Sequence, residues 1–119
     1  MTEEVKKLNV LEKATSHYRT QLAGEMKKFH VEEWDVDIYH RGITNLRQEQ
    51  EVVELTKKGR SVEALVMSII NKALDEDGKS IFKATDKITL MNQVDPNILL
   101  TIANKLNNSV PTVLELEGN

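Results

Sequence analysis

Apolar positions along this chain recur at two different periods, and the changes between them mark out its elements. From Thr2 to about Ala23, Val5, Leu8, Leu11, Ala14, Tyr18 and Leu22 lie three or four apart, one stripe of an amphipathic helix. Thr2 is placed to cap it, Glu3 and Glu4 suit the positive end of its dipole, and Gly24 can close it. Between Met26 and Arg41 the period shortens to two. Phe29 and Val31, then Val36 and Ile38, alternate with polar neighbours around Glu32-Glu33-Trp34-Asp35, which predicts a hairpin with a turn at those four residues. A lone hairpin is marginal in water, so its apolar face should lie against helices.

Helical spacing resumes at Asn45, a capping residue with Gln48 three positions on. Leu46, Val52, Val53 and Leu55 supply a face, Glu54 and Lys58 stand four apart, and Gly59 ends the element. The next helix starts at Ser61 with Glu63 in its first turn. It carries Val62, Leu65, Val66, Met67, Ile69, Ile70, Ala73 and Leu74 on more than one face, the mark of a central helix. Asp75-Glu76-Asp77-Gly78-Lys79 then reads as its stop, with Gly78 in left-handed geometry and Ile81-Phe82 as a buried anchor beyond. Thr85 to Asn92 is weakly helical. Asp95-Pro96 is a strong helix start, and Ile98, Leu99, Ile102, Ala103 and Leu106 carry that last helix to Asn107. Asn107 to Pro111 breaks structure, and the tail alternates Val113, Leu114 and Leu116 with glutamates. The pattern predicts a mainly α fold: a small bundle of four to five helices with one N-terminal β-hairpin. One helical domain over 1–109 contains the hairpin at 26–41, and 110–119 forms a flexible tail.

Composition narrows the chemistry. At 119 residues the chain supports one core, and a net charge of −3 gives no broad basic face for nucleic acid. The absence of cysteine removes disulfides, thiol catalysis and cysteine-based zinc sites. No apolar run is long enough to span a bilayer, and the N-terminus is polar and acidic, so a soluble, unexported protein is expected.

The acidic run invites a metal reading, which spacing rejects. With Gly78 as the sixth position of an EF-hand loop, the first and twelfth fall on Ala73 and Ala84, neither of them a ligand. His17, His30 and His40 lack paired metal-ligand spacing. His30 and His40 could meet across the hairpin, but exposed strand positions explain them more simply. There is no nucleophile elbow and no glycine-rich phosphate loop. The expectation is therefore no catalytic residue, no metal and no cofactor, with function in surfaces. Trp34 is a candidate partner-binding anchor as well as a candidate core cover, and Val110, Val113, Leu114 and Leu116 are candidates in the tail.

The order of three motifs resembles the tail assembly chaperones of long-tailed bacteriophages. They are Phe29-His30-Val31-Glu32-Glu33-Trp34-Asp35-Val36-Asp37-Ile38-Tyr39, then Leu65 to Leu74 running into Asp75-Glu76-Asp77-Gly78-Lys79-Ser80-Ile81-Phe82, then Ile98 to Asn107. The likeness spans roughly Tyr18 to Asn108; where that family commonly has proline before its Glu-Trp, this chain has Glu32. The resemblance implies a non-catalytic protein that coats and solubilises the tape measure protein, helps recruit tail tube protein, and self-associates. It implies residence in the host cytoplasm, absence from the mature virion, and a longer version made by programmed frameshift, diverging near Val110. No nucleic-acid or membrane partner is expected. Two competitors follow from the residues alone. One is a small helical DNA-binding regulator with a helix-turn-helix around Gly59; the other is an enzyme using Asp75, Glu76 and Asp77 on a divalent ion.

Overall fold

The computed structural model describes residues 3–107, with side chains from Asn9 onward. The elements run α1 (Glu3–Ala23), β1 (Lys27–Val31), β2 (Val36–His40), α2 (Leu46–Lys57), α3 (Ser61–Lys72), a 3₁₀ turn (Ala84–Asp86), α4 (Lys87–Gln93) and α5 (Pro96–Asn107). The protein is mainly α with one hairpin on its N-terminal side. Helix α3 is the hub, packed against α2, α4 and α5. Val66, Ile69 and Ile70 of α3, with Ala73 just past its end, meet Leu90 of α4, and Leu99, Ile102, Ala103 and Leu106 of α5, in one core, to which the hairpin adds Val31 and Ile38.

Local chemistry accounts for most of the boundaries. Asn45 accepts the Gln48 backbone N–H at 2.9 Å while the Gln48 side chain accepts from the Asn45 N–H, the reciprocal arrangement that closes a helix start. Pro96 opens α5, where a missing N–H is harmless, and Asp95 Oδ1 takes the Asn97 N–H at 2.9 Å. Gly59, at φ +77°, turns α2 into α3. The Glu54 carboxylate accepts from Gln50 at 2.8 Å, one turn before it, and Lys58 lies beyond the helix as its cap.

The hairpin pairs Phe29 with Ile38 and Val31 with Val36. Val31, Ile38 and His40 are buried; Val36, expected on the same apolar face, is exposed. Asp35 takes a positive φ of 50°, and Trp34 and Asp35 donate to Val31 and Glu32 across the turn. Leu46 opens α2 fully exposed, outside the face assigned to it.

The acidic run differs from its sequence reading. Helix α3 stops at Lys72, six residues before Gly78, because the backbone of Leu74 is taken by Tyr39 of β2. Tyr39 N–H donates to Leu74 O at 2.9 Å and Leu74 N–H to Tyr39 O at 2.8 Å. Leu74 also bridges Ser80, so Asp75 to Lys79 is the turn of a miniature hairpin. Gly78 N–H donates to Asp75 O at 3.0 Å and Asp75 N–H to Lys79 O at 2.7 Å, a tight turn followed by a left-handed residue. At φ +80° Gly78 suits that position, and a Cβ there would come within 2.6 Å of an Arg41 nitrogen. Of the expected anchor pair, Phe82 packs on the core and Ile81 stays partly exposed.

His40 also departs from expectation. It is buried, not solvent-facing, with its ring 5.7 Å from Phe29 and its Nδ1 without a hydrogen-bond partner. Burial, reinforced by Lys27 and Lys72, holds its pKa below the ordinary 6.5. The unfolded chain therefore takes up this proton first, so stability is lost as pH falls below 6.5 toward the folded value. His40→Gln should flatten that part of the pH profile of the urea midpoint relative to the parent protein; an unchanged difference across the range would count against it.

Candidate functional site

An apolar groove lies open between α3, α4 and α5. Its floor is Val66, Leu90 and Leu99; its walls are Val62 and Leu65 from α3, Met91 and Val94 from α4 and its exit, and Pro96 and Leu100 from α5. The cavity is about 490 Å³. Val62 is 62% exposed and Leu100 49% exposed, both large for apolar side chains on a folded surface.

The groove exists because α4 is short and pinned at its start. Lys83 N–H donates to Asp86 Oδ2 at 2.8 Å, which sets the 3₁₀ turn. Lys87 Nζ then reaches Glu63 Oε2 at 3.0 Å, and Arg60 grips both oxygens of Glu63 at 2.7 and 2.8 Å. The Arg60 bond, then the Lys87 bond, holds the Glu63 carboxyl below its ordinary pKa. Thus α4 is clipped to the first turn of α3 by charge, while its apolar residues splay along one lip of the groove.

Two other depressions have charged residues around them. One, about 180 Å³, lies between β1 and α5 and is lined by Phe29, Val31, Ile98 and Ile102 together with His30, Glu33, Asp95 and Lys105. The other, about 470 Å³, is a shallow trough over Leu55 and Met67 rimmed by Arg47, Glu51, Glu54 and Lys87.

The sequence candidates separate on the structure. Trp34 sits at the hairpin turn, half-buried and packed on the core. Val110, Val113, Leu114 and Leu116, with the whole predicted tail, lie outside the described residues. His30 and His40 do not meet. His30 faces outward to Asp37 at 2.8 Å and Asp35 at 3.4 Å, whereas His40 is buried on the opposite face. Asp75 spends its carboxylate on its own backbone, accepting from the N–H groups of Asp77 and Lys79 at 2.9 and 3.0 Å. Among the described residues no group of three His, Asp or Glu side chains is placed to hold a metal ion. None of their helices is long and apolar enough to cross a membrane.

One feature escaped sequence reasoning. Lys72, at the end of α3, is 6% exposed; its Nζ donates to Asn107 Oδ1 at 2.5 Å and lies 3.8 Å from Glu49 Oε1. Glu49 in turn accepts from the Thr44 hydroxyl. The lysine thus clasps the last turn of α5 and the first of α2 to the hub. A lysine in the last turn of a helix is so often a solvated dipole partner that only the surrounding helices reveal its burial.

No family model matches the chain, and no curated protein does. Among solved structures, the bacteriophage HK97 tail assembly chaperone matches over 82% of this chain and 98% of that one, with a TM-score of 0.56 and 21% identity. This chain has that fold. The likeness extends over nearly the whole HK97 chaperone, so this arrangement of hairpin and helices is not a fragment match. At that identity the fold is what the two share, and the groove described above belongs to this chain's own residues.

Proposed function

We propose that this protein is a tail assembly chaperone of a long-tailed bacteriophage, acting without catalysis in the host cytoplasm and absent from the finished virion. It binds the tape measure protein, keeps that long apolar chain soluble, and helps recruit tail tube protein as the tube grows. The observation that carries this reading is the likeness to the HK97 chaperone across nearly that protein's full length. The apolar groove between α3, α4 and α5 supports it, because a helical client presents apolar residues at helical spacing and needs a trough to receive them.

Modest affinity per copy suffices for such a task. Copies that associate with one another along a rod raise each other's effective concentration, so many weak contacts hold together. Trp34 and the tail residues Val110, Val113, Leu114 and Leu116 extend the binding surface in this reading, and a frameshifted longer form diverges within that tail. The DNA-regulator reading is the weaker one. Helix α3, which would have to enter the major groove, buries Ala64, Val66, Ser68, Ile69, Ile70 and Lys72 among its neighbours.

Co-expression with a tape measure segment tests the proposal. The segment should move from the insoluble to the soluble fraction when this chain is present and co-purify with it. A segment equally insoluble with and without the chain would refute the assignment.

A further inference from the structure

The groove between α3, α4 and α5 is lined by the first turns of α3 and α5. Lys72 clasps Asn107, which sets the ends of those two helices side by side, while Val62 and Leu65 share the groove with Pro96, Leu99 and Leu100, so the pair runs in one direction. The chain leaving Asn107 therefore starts at the other end of the helix whose first turns line the groove. From Asn107 back to Leu100 is about 10 Å along α5, at 1.5 Å per residue. From Asn107 forward to Leu114, an extended chain covers up to about 23 Å at about 3.3 Å per residue. The continuing residues reach the groove with slack.

Their chemistry fits it. In an extended segment successive side chains alternate, so Val110, Leu114 and Leu116 fall on one side and Glu115 and Glu117 on the other. Pro111 favours extended backbone at Val110 and has no N–H with which to continue a helix. Residues 108–119 hold two glutamates and no lysine or arginine. At the mouth of the groove the charge is opposite. Arg60 and Lys87 both bind Glu63, which leaves positive charge in surplus next to Ser61, a groove-lining residue. Arg60 supplies no side-chain cap, so the first N–H groups of α3 also favour an acidic segment.

We infer that residues 110–116 dock into the groove of their own chain, seating Val110, Leu114 and Leu116 against α3 and α5 and leaving Glu115 and Glu117 at the rim toward Arg60 and Lys87. Tethering decides the occupant. A segment fixed at Asn107, so near its site, has an effective concentration on the order of a millimolar, ahead of a free competitor at micromolar levels. With an intrinsic dissociation constant on the order of 0.1 mM, the groove is closed over open by about ten to one. What opens it rests on the chaperone reading above: a client entering the groove releases the segment, whose apolar residues then widen the surface offered to that client.

The full chain tests the docking without any client, since it contains no native cysteine. Val62→Cys with Leu114→Cys, oxidised in dilute solution, should close mainly to a disulfide within one chain, and Ile88→Cys with Leu114→Cys should not. Val62 and Ile88 are both exposed, so neither cysteine opens the core, and Ile88 lies outside the groove. Leu100→Cys should react with a soluble thiol reagent about tenfold faster once Leu114→Asp and Leu116→Asp are added, as the closed state is lost. Equal closure of the Ile88 pair, disulfides formed mainly between chains, or a Leu100→Cys rate indifferent to both tail changes would overturn the proposal. No client enters these measurements, so a chain that closes in this way yet leaves a tape measure segment insoluble would refute the chaperone reading and not the docking.

Discussion

Val62→Asp combined with Leu100→Asp should abolish solubilisation of a tape measure segment while leaving the protein folded. Both side chains line the groove and both are already largely exposed, so neither change opens the core. Seating a valine and a leucine against a client contributes roughly 1.5–3 kcal/mol each when burial is complete. Losing even half of that at two positions, and adding two carboxylates that must be desolvated, weakens each contact by about 3 kcal/mol or more, over a hundredfold. Binding by many copies multiplies the deficit. The soluble fraction of the co-expressed segment reads the effect, with far-ultraviolet circular dichroism and the thermal midpoint as the check on folding. Ile88→Asp is the control: Ile88 is exposed on α4 but does not line the groove, and its loss should leave solubilisation intact. Equal solubilisation by the double variant would move the client elsewhere on the surface.

Ile69→Ala should destabilise the protein by about 3–4 kcal/mol, a large part of what a domain of this size possesses. Ile69 is wholly buried on α3, inside the core that α3 forms with α4, α5 and the hairpin, so removing its side chain beyond Cβ leaves a void in that core. Urea unfolding should show a lower midpoint with the slope unchanged, the sign of lost packing in a native state otherwise intact. Leu46→Ala provides the contrast. Its side chain is exposed at the first turn of α2, and the change should fall within about 0.5 kcal/mol. A loss below about 1 kcal/mol for Ile69→Ala would show that the core is not centred on α3.

What sequence made legible here was whatever neighbours in the chain decide. Asn45 with Gln48, Asp95 with Pro96, and the four-residue turn before Val36 are contests settled within a few residues, and each formed where the pattern put it. The apolar excess of α3 also disclosed its central place. Misreadings arose where a distant partner intervened. Gly78 and its acidic neighbours carry every local sign of a helix stop, but Tyr39, far back in the chain, claims the backbone of Leu74 and ends the helix early. His40 and Lys72 are buried by elements that no local window contains. The groove was invisible for the same reason: Val62, Met91 and Leu100 are ordinary apolar positions until three helices leave them side by side. The stripe on α1 was visible, but not that, among the described residues, the rest of the body meets this helix only in isolated contacts.

The clasp at Lys72 has an architectural consequence. Because a buried ammonium on the hub grips Asn107, the final residue of α5 is tethered to the least exposed part of the molecule. Any polypeptide continuing from there, short or long, departs from one fixed spot. A chain lengthened at its carboxyl end would leave the folded body undisturbed and inherit a ready-made mooring.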